Sequence, residues 1–212
     1  MRAALFPILT SVAVCLAGVS SRAEPIGAAV AVERDVTHSA AGEVVRLDEG
    51  DRLNQEELVT TKAASSAKLL FLDETQLLIG PTSRVKLDRF VYNPDKSVAA
   101  MSLQLMRGGF RFVTGKSDHK AYTINTPEAT IGVRGTIIGI FVTPGKTLVK
   151  LKQGGATVCL CRAGKPQCSE MEQLETIVEV TPRRISEAGL RRSRGPDFSI
   201  WCSAGKATCG LK

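Results

Sequence analysis

Aromatic residues and histidines are scarce in this chain of 212 residues, which is 5% aromatic and contains two histidines. Neither His38 nor His119 lies in a recognisable nucleophile–base arrangement, so we expect surface positions for both. The chain also lacks a phosphate loop, a dinucleotide fingerprint and a metal-binding helix motif. The sequence therefore predicts a protein that is not an enzyme and uses no cofactor. An enzyme with an unrecognised active site is the third-ranked alternative.

Cysteine is absent between Cys15 and Cys159, which excludes disulfides from most of the chain. Five cysteines lie in the C-terminal quarter: Cys159, Cys161, Cys168, Cys202 and Cys209. Their spacings do not fit a zinc site, so we predict no metal. In an oxidising compartment they predict a small disulfide-stapled tail. Spacing alone favours Cys161–Cys168 and Cys202–Cys209 among many pairings, and it leaves the fifth cysteine unassigned.

Long apolar runs are also missing, apart from one at the start of the chain. Residues 3–18 are uncharged and mostly apolar, follow Arg2, and precede small residues at Ser21 and Ala23. This pattern predicts a signal peptide over residues 1–23, cleaved near Ala23, and a periplasmic or secreted protein with no transmembrane span after cleavage. An uncleaved anchor and lipidation at Cys15 are the alternatives.

The charge is moderately basic, with 28 Lys and Arg against 21 Asp and Glu. The densest group of basic residues, between residues 183 and 194, is interpreted as a solvated tail. Its alternative is a docking site for an anionic glycan or a lipid head group. Nucleic acid is not an expected partner, because no platform of aromatic and basic residues is present.

Short runs in which apolar and polar residues alternate dominate the rest of the chain. Such alternation indicates half-buried strands, and turn signals separate the runs roughly every 8–12 residues. Two stretches, 69–72 and 137–142, are apolar on both faces and are expected to be central. The pattern predicts an all-β fold: a sandwich, a roll or an irregular solenoid. Further strands are expected at residues 28–32, 42–47 and 175–180, and a short helix within 183–192.

Several motifs then occur in a fixed order: LVTT (58–61), SAKLLFLD (66–73), LLIGP (77–81), LQLMRGGFR (103–111), INTP (124–127), ATIGVRGT (129–136), TLVKL (147–151) and GG (154–155). On these motifs, residues 58–155 resemble the FecR-type periplasmic domain family. Residues 24–57 are then N-terminal strands packing on the core, and residues 156–212 are C-terminal strands with the cysteine-containing tail. The family usually has glycine where this chain has Glu74, which puts a tight turn there in doubt.

The ATIGVRGT motif supplies the candidate binding residues. Gly132 and Gly135 bracket Arg134, so the backbone can bend sharply there, and Thr136 follows. Arg134 is expected either to satisfy buried carbonyls, to pair with a carboxylate such as Asp73, or to clamp a carboxylate ligand.

The resemblance implies a non-enzymatic interaction module that senses or scaffolds in the cell envelope through an envelope protein partner. In the regulators that give the family its name, a cytoplasmic anti-sigma segment and one membrane span precede this domain. Here the predicted signal peptide stands in place of those two parts. A binder of cell-envelope glycan is the alternative function. The sequence leaves the partner and the oligomeric state open.

Overall fold

The fold is described by a computed structural model over residues 24–40, 42–161 and 167–188. Fifteen strands follow one another in this part of the chain, with one 3₁₀ turn at His119–Ala121. The strands are β1 (Gly27–Glu33), β2 (Val36–Ala40), β3 (Glu43–Arg46), β4 (Arg52–Leu53), β5 (Leu58–Thr61), β6 (Ser66–Phe71), β7 (Gln76–Ile79), β8 (Arg84–Tyr92), β9 (Val98–Val113), β10 (Tyr122–Asn125), β11 (Ala129–Thr143), β12 (Lys146–Leu160), β13 (Cys168–Met171), β14 (Ile177–Thr181) and β15 (Arg184–Ala188). The all-β prediction is confirmed.

The strands form one β-sheet. Three long strands, β9, β11 and β12, connect two parts of this sheet, because each of them pairs with different neighbours in its two halves. The first half of β9 pairs with β8 and β10, and its second half pairs with β7 and β11. Strands β11 and β12 likewise pair with different neighbours in their two halves. The sheet therefore bends across β9, β11 and β12 and turns one face onto itself.

Two layers result. The first layer contains β4, β1, β6, β7, the second halves of β9 and β11, the first half of β12, β14 and β15. The second layer contains β3, β2, β5, β8, the other halves of the three long strands, β10 and β13. One continuous core of buried side chains lies between them, including Phe110 and Phe112 from the first layer and Leu103 and Leu105 from the second.

Glycine makes the bend possible where β11 and β12 cross from one layer to the other. The pairing register shifts between Arg134 and Ile137, and the backbones of Gly135 and Gly154 have φ angles of 59° and 75°. A Cβ atom on Gly154 would stand 2.1 Å from the carbonyl oxygen of Gly135. No larger residue fits there without moving the backbone, so this glycine fixes how closely the two strands approach.

The strand alternation in the sequence agrees with the observed burial. Met101, Leu103 and Leu105 are buried on one side of β9, while Ser102 and Gln104 are half-buried on the other. The stretch 137–142 lies inside β11, between β9 and β12, as its apolar character on both faces predicted.

The helix predicted within residues 183–192 is wrong where the structure describes it. Residues 184–188 form β15, which pairs with β14 across the turn after Thr181. Pairing to β14 supplies the backbone hydrogen bonds and a neighbour for Ile185, whose loose spacing from other apolar residues suggested a helix. Residues 189–192 lie outside the described part.

The disulfide pairing predicted from spacing is also wrong for Cys168. Cys168 is bonded to Cys159, with 4.0 Å between their Cα atoms, and Cys161 is an exposed free cysteine. The reason is register, because Cys159 and Cys168 lie directly opposite each other on β12 and β13 and Cys161 lies two residues further on. Cys202 and Cys209 fall outside the described residues.

Glu74 occupies the position where a tight turn was in doubt. The turn forms, and Glu74 adopts it with a φ of 67°, a left-handed conformation that favours glycine. In the described ranges, no helix has the length and apolar character needed to cross a membrane.

We expect Glu74→Gly to raise the free energy of unfolding by about 0.5–1 kcal/mol, because glycine removes the cost of a left-handed φ. Urea denaturation followed by circular dichroism measures the change. Glu74 also forms a 2.6 Å ion pair with Lys116, so Lys116→Gln is the control for its loss, with an expected effect below about 0.5 kcal/mol. A destabilised Glu74→Gly variant would contradict this account of the turn.

Candidate interaction surfaces

The ATIGVRGT motif forms the corner between the two layers. The Thr136 hydroxyl accepts a hydrogen bond from the Arg134 backbone N–H (2.8 Å) and donates one to the Gly155 carbonyl (2.6 Å). The Thr136 N–H donates to the Thr114 hydroxyl at 2.8 Å. Thr136 and Gly135 therefore hold the bulge together, whereas a Cβ on Gly132 would meet nothing within 4 Å.

Arg134 is the residue that this corner presents to solvent. Its guanidinium reaches Glu170 (3.3 Å) and Glu172 (3.8 Å) in and beside β13, with about half of its side chain exposed. The predicted pairing of Arg134 with a carboxylate is confirmed, but the partners are Glu170 and Glu172 rather than Asp73. Glu170 also accepts from the Thr157 hydroxyl at 2.8 Å. A cavity of about 310 Å³ adjoins these acids, lined by Glu170, Met171, Glu172, Gln173, Thr176 and Glu187.

Asp73 forms a buried latch between the layers, because four donors surround its carboxylate. The Tyr122 hydroxyl (2.6 Å), the Ser117 hydroxyl (3.1 Å) and the hydroxyl and backbone N–H of Thr75 (2.8 and 3.1 Å) all donate to it. Burial raises the pKa of Tyr122, and the hydrogen bond to Asp73 raises it further, so the phenol stays a donor. Only 3% of Asp73 is exposed, which leaves Arg134 no access to it.

His38 is buried, so its predicted surface position is wrong. Its Nδ1 atom lies 2.9 Å from the Glu57 carboxylate, and the Asn54 side-chain amide donates to the same carboxylate at 2.7 Å. The pairing of β2 with β5 places the ring inward, and Glu57 satisfies it there. Among the described residues, no group of three His, Cys, Asp or Glu side chains could hold a metal ion.

Comparison with known proteins shows a family match for the segment that contains the Arg134 corner and the Asp73 latch. The family model described as FecR protein matches residues 57–157. The chain carries a FecR domain. The match runs from just before β5 into β12, so it contains Asp73, Tyr122 and Arg134 together with the central strands of both layers. Strands β1–β4 and β13–β15 lie outside the matched residues.

Solved structures align with part of this chain. A crystal structure at 2.50 Å of a protein named "putative anti-sigma factor" from Parabacteroides distasonis ATCC 8503 aligns with a TM-score of 0.50 and 11% identity, over 62% of this chain and 58% of that one. A second crystal structure of that name, at 1.65 Å, aligns with a TM-score of 0.49 and 11% identity. At this identity the likeness concerns the fold alone. No curated protein matches the chain.

A cleft of about 660 Å³ opens beside the end of β8, at the edge of the FecR domain, and is lined in part by Gln55, Phe90, Tyr92, Asn93 and Lys96. The rings of Phe90 and Tyr92 are stacked with centroids 6.4 Å apart. The Tyr92 hydroxyl donates to the Ile26 carbonyl at 2.8 Å, and burial raises its pKa. This cleft could not be predicted from the sequence, because its lining residues come from four separate segments of the chain.

Proposed function

We propose that this protein is a non-enzymatic binding module of the bacterial cell envelope that takes part in signalling through protein–protein contact. The observation that carries the proposal is the FecR domain at residues 57–157. The apolar run and small-residue exit over residues 1–23 favour export to the periplasm. A neighbour in fold that is named an anti-sigma factor supports a regulatory role rather than a catalytic one.

The chemistry of the described side chains agrees with this proposal. The buried carboxylates of the described residues, Glu57, Asp73 and Glu128, are engaged in hydrogen bonds that hold strands together. The exposed charged groups, by contrast, are accessible to a binding partner. Arg134 stands at the corner with Glu170 and Glu172, where a partner that offers a carboxylate can take over one of its ion pairs.

The test is affinity capture from the envelope extract of the protein's own host, followed by mass spectrometry. We expect one stoichiometric envelope protein to be recovered, and Arg134→Ala to reduce its recovery about fivefold or more. Arg134 is exposed and its ion pairs are solvated, so the variant is expected to lose less than about 1 kcal/mol of stability. A thermal melt checks this. Recovery of wall fragments without a protein would contradict the proposal.

The second candidate is a binder of cell-envelope glycan, and the cleft beside Tyr92 favours it. The half-buried Tyr92 ring, the side-chain amides of Gln55 and Asn93 and the ammonium group of Lys96 suit a sugar, which offers C–H faces and hydroxyl groups. Co-sedimentation with purified cell wall tests it. This function predicts that the wild-type protein sediments with the wall and that Asn93→Ala weakens the effect. A protein that stays in the supernatant would exclude it.

A further inference from the structure

The first layer has an unusual outer face, on the side away from the core. An antiparallel sheet that faces water usually presents polar residues there. Here many of the outward positions are apolar. Leu78 and Leu148 are only 6% exposed although neither belongs to the main core, and four neighbours are half-buried: Leu70, Val113, Ile137 and Phe141.

A row of basic residues runs through the middle of this outer face. The pairing registers align Lys68 with Leu78, Leu78 with Arg111, Arg111 with Gly139 and Gly139 with Lys150. The three basic residues are thus two strands apart, which corresponds to about 9–10 Å between successive backbone positions. Apolar residues of the outer face lie on both sides of the row.

Two of the three cations form no ion pair with an acidic residue in the described part of the chain. Lys150 forms a 2.6 Å ion pair with Glu175, whereas neither Lys68 nor Arg111 takes part in an ion pair between described residues. The Nε atom of Arg111 is buried and has no hydrogen-bond partner there, and the same holds for the neighbouring Gln76 Oε1. A half-buried guanidinium interacts strongly with an incoming carboxylate, because less water screens it.

The occupant that matches this surface is an acidic amphipathic helix. Residues seven apart on a helix are about 10.5 Å apart along its axis, close to the spacing of the basic row. A helix lying across the strands would place its apolar side chains on the rows beside it. A polyanionic glycan would leave those apolar rows uncovered. A lipid surface would draw the cations to the rim of the apolar face, whereas here they lie along its middle.

We infer that the outer face of the first layer docks an acidic amphipathic protein segment, with Lys68, Arg111 and Lys150 contacting its carboxylates. The inference rests on the proposed function and names the surface and the class of partner. The last 24 residues of this chain do not fit as the occupant, since they carry five basic residues and one acidic residue.

Fluorescence anisotropy with the purified protein tests the inference. The probe is a synthetic helical peptide of about three heptads, with leucines along one face and one glutamate per heptad in the middle of that face. The comparison peptide carries glutamine at those positions. We expect the wild-type protein to bind the glutamate peptide at least tenfold more tightly, and Lys68→Gln/Arg111→Gln to abolish that preference. The matched control is Arg84→Gln/Arg107→Gln, which removes two exposed arginines from the second layer.

Several results would overturn the inference: no binding of the peptide, equal losses in both double variants, or tighter Lys68- and Arg111-dependent binding to heparin or to anionic phosphatidylglycerol vesicles. Thermal melts establish that both double variants fold. Phe141→Ser removes an apolar side chain from the same face without changing the charge, so it provides a second test of peptide binding to this face. Failure of this inference can be distinguished from failure of the proposed function. If only the docking surface is wrong, affinity capture by the Lys68→Gln/Arg111→Gln protein would still recover an envelope partner.

Discussion

Replacing Asp73 with alanine is expected to lower the free energy of unfolding by about 3–5 kcal/mol, among the largest effects of any single change in this fold. The carboxylate is buried and accepts from Tyr122, Ser117 and Thr75. Its removal would leave these donors without a partner inside the protein, at one end of the interface between the two layers. Urea denaturation measures the loss.

Two further variants serve as comparisons for Asp73→Ala. Asp73→Asn retains the shape of the side chain but loses its charge and offers one acceptor oxygen, so about 2 kcal/mol of destabilisation is expected. Asp35→Ala removes an exposed carboxylate and should change stability by less than about 0.5 kcal/mol. An Asp73→Ala protein as stable as the Asp35→Ala protein would show that the latch does not hold the layers together.

Gly154→Ala is expected to cost about 3 kcal/mol or more. The new methyl group would collide with backbone, 2.1 Å from the Gly135 carbonyl oxygen and 2.7 Å from that of Arg134, and neither can move without opening the corner. The backbone φ of 75° adds a cost of about 1 kcal/mol for any residue with a side chain.

Gly145→Ala separates these two causes. Gly145 has a φ of 72°, but a Cβ there meets nothing within 4 Å, so only the backbone cost of about 1 kcal/mol applies. Differential scanning calorimetry on both variants measures the difference, which we expect to be about 2 kcal/mol. Equal losses in the two proteins would mean that β11 and β12 do not approach each other as closely as described.

Local alternation in the sequence predicts most of the strands correctly. Runs such as 101–105 and 149–151 state which side chains face the core, because the period of a strand is two residues and burial follows it. The sharp bend predicted from the glycines of the ATIGVRGT motif is found at Gly135, whereas Gly132 lies in regularly paired strand. These features depend on neighbours in the sequence alone.

Register between strands is what the sequence could not supply. The Cys159–Cys168 bond, the partner of His38 and the ion pairs of Arg134 all depend on which residues lie opposite one another. The basic row was also invisible. Alternation placed Arg111 between Phe110 and Phe112, and Lys150 between Val149 and Leu151, but only the pairings β6–β7–β9–β11–β12 align these residues with Lys68.

The strand β15 shows a related limit. A short segment with loosely spaced apolar residues is compatible with a helix or an edge strand, and tertiary pairing with β14 decides between them. The same holds for Glu74, where the surrounding turn imposes a backbone conformation that its residue type does not favour.

The measurement that tests the central claim most directly is a calorimetric titration of the captured envelope protein with four versions of this protein: wild type, Arg134→Ala, Lys68→Gln/Arg111→Gln and Arg84→Gln/Arg107→Gln. A binding module that uses the outer face and the corner predicts a saturable complex for the wild type and for the Arg84→Gln/Arg107→Gln protein. It predicts affinity at least tenfold weaker for Lys68→Gln/Arg111→Gln and about fivefold weaker for Arg134→Ala. Four indistinguishable isotherms, or no saturable binding by the wild type, would contradict it.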